Sequence, residues 1–272
     1  MRMKEKIFIF LMIFLLTLSG NNALNPRIFA QNNYSPEIVP HIVLVELFAQ
    51  EACTSCPTAE FCLEDLAWEY GTTKIILVEE HLWGDDYDTP ETNARYDWYV
   101  GDGKRGTPDV FIDGLTKRFQ GLSCDCVEGN YECYKDAIDE ELARPSLLEL
   151  TAIKTPHPNP LPQGERGEEK AANIIIEGTV KNISDTPLKD LAVCGMVGKE
   201  GDESGLYNYI QDIFPFQNIP SLLPGETFSF TFIPEILLTP ESEIDGEEDV
   251  SHLVIFVQNL ETKEVLQAIY IE

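Results

Sequence analysis

The sequence has few basic residues, with 19 Lys and Arg against 47 Asp and Glu, so its formal net charge is −28. A surface this acidic repels phosphate backbones and anionic lipids, and this argues against nucleic acid or a membrane surface as a partner. The sequence also lacks an apolar run of the roughly 20 residues that a membrane-spanning helix needs. Because 43% of its residues are hydrophobic and 10% are aromatic, an intrinsically disordered chain is excluded.

The amino terminus has the layout of a secretory signal peptide. Three basic residues among the first six positions precede an apolar stretch from Ile7 to Leu18, and small polar residues follow it. We expect removal of residues 1–23, with cleavage as late as residue 30, and no stable membrane span afterwards. The mature protein is then extracytoplasmic: periplasmic, secreted or at the cell surface. An uncleaved membrane anchor is the alternative.

The rest of the chain divides into two regions by its hydrophobic period. Residues 36–145 alternate strand and helix patterns and predict an α/β domain in the order β-α-β-α-β-β-α. Residues 146–272 have a period of two and predict an all-β sandwich of immunoglobulin-like type. Within this second region, the prolines of residues 155–170 predict a disordered insert. We therefore expect two domains.

Cys53 and Cys56 form a Cys-Thr-Ser-Cys-Pro motif between the predicted first strand and the predicted first helix. At a helix N-terminus, the helix dipole and the unpaired N–H groups stabilise the thiolate of the first cysteine. Pro57 suits the first helical turn, where no N–H donor is needed. The motif indicates a redox-active pair. A structural disulfide, or half of a zinc site, is the alternative.

Two other positions point to the same chemistry. Thr107-Pro108 begins the predicted third strand, where a cis-proline would lie opposite the cysteine pair. Glu46 lies in the apolar first strand, seven residues before Cys53. A carboxylate there needs either a chemical role or a buried partner, and both interpretations stay open.

These segments resemble the thioredoxin superfamily, and most closely its exported bacterial members with a carboxyl-terminal β-sandwich. The matched stretches read VLVELFAQEACTSCP, KIILVEEH and GTPDVFIDG; they cover most of the first region and none of the second. The resemblance implies that Cys53 attacks a substrate disulfide, that Cys56 resolves the mixed disulfide, and that Glu46 moves the proton. Thr107 and Pro108 would bind the substrate backbone.

The other five cysteines have less specific patterns. Cys62 and Cys194 lie in apolar patterns and are expected to be buried core residues. Cys124, Cys126 and Cys133 follow the predicted fourth strand. They form either a local disulfide that closes the loop or a second redox pair beside the Cys-x-x-Cys motif. A metal site of four thiolates is a further alternative.

From the sequence we therefore predict an exported thiol–disulfide oxidoreductase that needs no metal or cofactor. Its partners would be protein thiols or disulfides, together with an upstream redox protein. The alternatives are a non-catalytic surface or binding protein with a structural disulfide, and a metal-handling thiol protein. His81 and Asp85, which follow the predicted second strand, are expected at the same edge of the sheet, with His81 a hydrogen-bonded surface histidine.

Overall fold

The computed structural model describes residues 39–121, 127–156, 170–199, 208–238 and 251–271. The predicted signal peptide, most of the proline-rich insert, and both Cys124 and Cys126 lie outside these ranges. Three helices and 13 strands lie within them. None of the helices in the described ranges is long and apolar enough to cross a membrane.

The first half of the chain alternates strands and helices, whereas the second half contains strands alone in its described ranges. The elements of the first half are β1 (Val43–Ala49), α1 (Cys56–Tyr70), β2 (Ile75–His81), α2 (Pro90–Val100), β3 (Asp109–Ile112), β4 (Lys117–Gln120) and α3 (Val127–Leu142). Those of the second half are β5 (Leu148–Pro156), β6 (Lys170–Asn182), β7 (Leu191–Lys199), β8 (Tyr209–Ile213), β9 (Gln217–Ile219), β10 (Thr227–Phe232), β11 (Glu235–Leu238), β12 (Ser251–Asn259) and β13 (Val265–Ile271). This chain order agrees with the sequence pattern, but the assembly of the elements does not.

The predicted fold class, a thioredoxin-like α/β domain followed by a separate immunoglobulin-like sandwich, is wrong. Strands of both halves share one mixed nine-stranded sheet, in the order β13-β12-β7-β8-β2-β1-β3-β4, with β9 paired to β7. β8 joins β2 where Tyr209 pairs with Glu79. Without β8, β2 would be an edge strand with unpaired N–H and C=O groups. Periodicity indicates which segments form strands, but it does not indicate which strand covers that edge.

The two faces of β1 are covered by different parts of the molecule. β1 pairs in parallel with β2 and antiparallel with β3, so its side chains alternate between the faces of the sheet. Val45 and Leu47 pack with residues of α1 and α3. On the opposite face, Leu44 packs with residues of β7, β12 and β13, and Phe48 packs with α2. The second half therefore supplies part of the core around β1.

A four-stranded sheet covers the other face of the second half's strands. In it β6 lies between β10 and β11, and β5 also pairs with β6. Leu150, Val180 and Phe230 of this sheet share an apolar core with Val193 of β7 and Val257 of β12. Two sheets do face each other here, but one of them is the nine-stranded sheet that also carries β1 and β2.

Candidate functional site

The Cys-x-x-Cys motif lies in the turn between β1 and α1. The backbone N–H of Cys53 donates to the carbonyl of Gln50 over 2.9 Å, which closes the turn after β1. Ser55 is the N-cap residue, and α1 begins at Cys56 with Pro57 in its first turn. Proline is tolerated there because the first N–H groups of a helix have no intrahelical partner. The motif is thus held at the carboxyl end of β1.

Cys53 and Cys56 form a disulfide with their Cα atoms 5.4 Å apart. Cys56 is 1% exposed, whereas Cys53 is only half-buried. The backbone N–H of Cys56 donates to Sγ of Cys53 over 3.1 Å, and the hydroxyl of Ser55 lies 3.6 Å from the same sulfur. When the pair is reduced, these groups and the helix N-terminus favour the thiolate at Cys53. The accessible sulfur is therefore also the one that the backbone activates.

Thr107 and Pro108 lie at the same end of the sheet as the disulfide. The peptide bond between them is cis, as the sequence predicted. Asp109, the next residue, pairs with Phe48 near the end of β1, and the turn with Cys53 follows that end directly. The structure thus brings the predicted substrate-binding residues to the edge that carries the cysteine pair.

Glu46 lies on the face of β1 that is opposite to the cysteine pair. Its neighbour Leu47 packs with Cys56, so the alternation along the strand turns Glu46 the other way. Its carboxylate accepts hydrogen bonds from Nε of Arg95 (2.5 Å) and from the hydroxyl of Tyr99 (2.7 Å). The role of proton carrier for the cysteine pair is therefore corrected. Glu46 is instead a buried acid with hydrogen-bond partners, which was the second interpretation of this residue.

Arg95 connects Glu46 to β12 and to a second buried acid, a cluster that the sequence interpretation missed. Its Nη1 donates to Oε1 of Gln258 over 3.2 Å, and its guanidinium lies 4.9 Å from the ring centre of Phe256. Glu80 lies 3.6 Å from Nε of Arg95, and its oxygens have no hydrogen-bond partner among the described residues. Burial and the charge of Glu46 raise the pKa of Glu80 well above 4.5. An adjacent pair of acids in an apolar strand was the available signal.

A different buried group lies on the cysteine side of β2. Ala49 packs with both cysteines and pairs with His81, so His81 points to the same face. The imidazole Nε2 lies 3.1 Å from Glu79, and Nδ1 lies 2.6 Å from Asp85. His81 is 2% exposed, so the expectation of a surface histidine is wrong. Burial disfavours its cation, but the two carboxylates outweigh burial and raise the pKa of His81 to about 9.

The turn that precedes the motif is hydrogen-bonded to this group. Asp85 accepts from the backbone N–H of Glu51 over 3.1 Å, and the carboxylate of Glu51 accepts from the N–H of Asp86 over 3.2 Å. Because Asp85 also binds His81, the histidine and the loop before Cys53 share one hydrogen-bonded network. His81 is thereby held on the face of the sheet that α1 covers.

Glu60 adds a titrating acid to the same side of the sheet. It lies one helical turn after Cys56, and residues four apart on a helix are neighbours on its surface. Burial and the charge of Glu79 raise the pKa of Glu60 to about 7, although the nearby His81 lowers it. A carboxyl group that titrates near neutrality is therefore available beside the buried cysteine.

The remaining five cysteines comprise two buried core residues, one residue of α3 and two that lie outside the described residues. Cys62 and Cys194 are buried in apolar clusters, as predicted. Burial raises the pKa of Cys194 to about 12, so its thiol stays protonated and unreactive. Cys133 lies on α3 and is disulfide-bonded. Since Cys124 and Cys126 are not described, the two interpretations of these three cysteines stay predictions.

No family model and no curated protein matches the chain. Among solved structures it is similar to HBP35 of Porphyromonas gingivalis, with a TM-score of 0.61 and 16% identity over 85% of this chain and 74% of that one. It is also similar to protein AGR_C_4864 of Agrobacterium tumefaciens, with a TM-score of 0.50 and 16% identity over 85% of this chain and 94% of that one. At such low identity the likeness shows the fold alone, and that fold extends over both halves of the chain.

Proposed function

We propose that this protein is an extracytoplasmic thiol–disulfide oxidoreductase, related to the thioredoxin superfamily, that exchanges disulfides with protein substrates. The observation that carries the proposal is the unequal setting of the two sulfurs. Cys53 is half-buried and accepts the N–H of Cys56, whereas Cys56 is 1% exposed. The sulfur of Cys53 can thus react with a substrate disulfide, while the sulfur of Cys56 is buried and available for the second exchange.

The reaction can be written as two exchanges. The Cys53 thiolate attacks a substrate disulfide, so that a mixed disulfide forms and one substrate sulfur leaves as a thiolate. Cys56 then loses its proton and attacks the sulfur of Cys53, which releases the second substrate sulfur and forms the Cys53–Cys56 disulfide. Two electrons pass to the substrate, and its two sulfurs take up the two protons. An upstream dithiol protein reduces the pair again, and the reverse sequence oxidises a substrate dithiol.

The residues beneath α1 supply the proton chemistry. Glu60 lies one helical turn from Cys56 and accepts its proton, and a pKa of about 7 suits a proton acceptor near neutral pH. The imidazolium of His81 favours negative charge at the cysteine pair, since an opposite charge nearby stabilises the ionised form. Thr107 and Pro108, at the same edge of the sheet, bind the extended substrate backbone.

Trapping of the mixed disulfide tests the proposal. Cys56→Ser should accumulate a covalent adduct between Cys53 and a disulfide-containing protein substrate, detected on non-reducing gels and located by peptide mass spectrometry. Cys53→Ser should form none, and Cys194→Ser, which changes a buried core thiol, should behave as the wild type. If Cys56→Ser forms no adduct at all, the oxidoreductase proposal fails.

A redox titration in glutathione buffers provides a second readout. We expect the pair to titrate reversibly at about −270 to −180 mV, between thioredoxin and disulfide isomerase. A pair that stays oxidised well below about −300 mV would instead be a structural disulfide, as in most secreted proteins. That result would favour the non-catalytic binding protein.

A further inference from the structure

A second polar group lies at the opposite end of the central strands from the cysteine pair. His41 precedes β1, Asp113 follows β3, and Glu141 lies on α3. One nitrogen or oxygen atom from each of the three side chains lies within 4.8 Å of the other two. The three residues are 7%, 0% and 2% exposed. Three distant segments of the chain therefore bring one imidazole and two carboxylates together in the interior.

We propose that His41, Asp113 and Glu141 bind a divalent first-row transition-metal ion of the zinc type. Imidazole nitrogen suits Zn²⁺ and its neighbours in the series, and carboxylate oxygens complete many such sites. Three protein ligands leave one tetrahedral position for water. The sequence interpretation expected no metal site, because these residues share no local spacing motif.

A small shift would bring His41 and Asp113 to the separation that such an ion requires. Nε2 of His41 lies 2.7 Å from Oδ2 of Asp113. Two ligands of a tetrahedral zinc ion stand about 3.4 Å apart, so the ion needs these atoms to separate by about 0.7 Å. A cavity of about 560 Å³, lined by His41, Tyr70 and Arg144 among others, adjoins the group. Of the three proposed ligands, His41 lines this cavity, so an ion would reach the group from the imidazole side.

The surrounding hydrogen bonds orient the carboxylates as ligands. Oδ1 of Asp113 accepts from the backbone N–H of Leu44 over 2.9 Å, which leaves Oδ2 directed at His41. The guanidinium of Arg144 contacts both Glu141 and Glu264. Metal-binding carboxylates are commonly held by such outer hydrogen bonds, which fix the direction of their free lone pairs.

The charges of the group also favour a divalent cation. Asp113, Glu141 and Glu264 carry three negative charges against the single positive charge of Arg144, which contacts two of them. A protonated His41 can balance Asp113 over 2.7 Å, and a divalent ion bound to the neutral imidazole would take over that role. Buried carboxylates need a compensating charge, and one divalent ion supplies it.

Titration of Zn²⁺ into the chelator-treated full chain tests this proposal. The Cys53–Cys56 disulfide is kept oxidised, so that its sulfurs cannot bind the metal. Isothermal calorimetry should show one saturable equivalent for the wild type. Glu141→Gln keeps the shape of the side chain and should lower the affinity more than about 100-fold. Glu264→Gln changes a carboxylate that contacts Arg144 and is not one of the three proposed ligands, so it should lower the affinity less than about tenfold.

A second measurement keeps the test decisive if a variant folds poorly. Co²⁺ bound to the wild type should give a visible absorption spectrum typical of a tetrahedral site, and equimolar Zn²⁺ should abolish it. Weak binding of several ions that Glu141→Gln does not change would reflect the acidic surface alone and would overturn the proposal. The absence of a saturable equivalent in the wild type would do the same. Because no step uses thiol exchange, the outcome is independent of the proposed function.

Discussion

Glu79 and Glu80 are neighbours on β2 and are 1% and 0% exposed, but their side chains lie on opposite faces of the sheet and have different partners. Glu79 binds the imidazole of His81 on the cysteine face. Glu80 faces Arg95 from 3.6 Å and accepts no hydrogen bond from the described residues. The strand alternation thus separates two buried charge groups by one residue. The group of Glu79 and His81 lies on the face of the cysteine pair. The group of Glu80 and Arg95 connects α2 and β12 to the sheet.

The largest effect is expected from Arg95→Met. The guanidinium of Arg95 balances the carboxylate of Glu46 and lies beside Glu80, so its removal leaves uncompensated negative charge in the interior. We expect the free energy of unfolding to fall by about 3–5 kcal/mol at pH 7, measured by urea denaturation.

Arg105→Ala is the matched control for this variant. Arg105 also pairs with an aspartate, Asp97, but both side chains are largely exposed. The loss should be below about 0.5 kcal/mol, as for most surface ion pairs. If Arg95→Met costs no more than Arg105→Ala, the group on the α2 face does not behave as a buried charge cluster.

The next effect concerns the group on the cysteine face. Since the pKa of His81 rises from 6.5 to about 9, the stability contributed by its charge is fully present below pH 6.5 and is lost as the pH rises through 9. The difference in the free energy of unfolding between wild type and His81→Gln should decrease by about 3 kcal/mol from pH 6 to pH 10. Urea denaturation at the two pH values measures it. A difference that stays constant between them would contradict the assigned charge.

An effect of the opposite sign is expected from Glu80→Gln. Because the folded protein raises the pKa of Glu80, the stability gained from its proton is present below pH 4.5 and is lost as the pH rises. The amide introduced by this substitution cannot ionise. The free energy of unfolding of the variant should therefore rise relative to that of the wild type by up to about 1.4 kcal/mol per pH unit above 4.5. Glu79→Gln is the control, because it removes a partner of His81 and should destabilise the protein. If urea denaturation gives the same change in the free energy of unfolding for both variants, the two faces do not differ in the way proposed here.

The smallest effect is expected from Glu60→Gln. Loss of the acid beside Cys56 should slow resolution of the mixed disulfide at pH 8 by less than about tenfold. It should also abolish the rise in the resolution rate near pH 7 that accompanies ionisation of Glu60. Single-turnover release of a reduced substrate between pH 6 and 9 measures both. Glu64→Gln, one turn further along α1, should keep this rise. A wild-type profile in Glu60→Gln would exclude Glu60 as the proton acceptor.

Local patterns predicted most of the elements but not β9, β11 or the strand ends at Pro156 and Lys170, and they could not predict which faces and edges meet. The apolar run of β1 and the stripe of α1 placed Cys53 and Cys56 correctly. The sequence could not decide between the two roles of Glu46, because the remaining residues of β1 are all apolar and the strand therefore shows no alternation that would tell which face Glu46 occupies. The pairing of Tyr209 with Glu79 joins positions 130 residues apart, and no local signal encodes it. For the same reason Arg95 and Gln258 were missed as partners.

The pairing of β8 with β2 has a consequence for solubility. A chain cut after residue 145 would expose Leu44, Ile76 and Val78, which residues of β7, β12 and β13 cover in the whole protein. It would also leave the edge of β2 open to strand addition by other copies. Such a fragment should self-associate, which gel filtration would reveal, and a monomeric fragment would contradict this expectation. The second half of the chain thus keeps the apolar face and the open strand edge of the cysteine-bearing half from association with other copies.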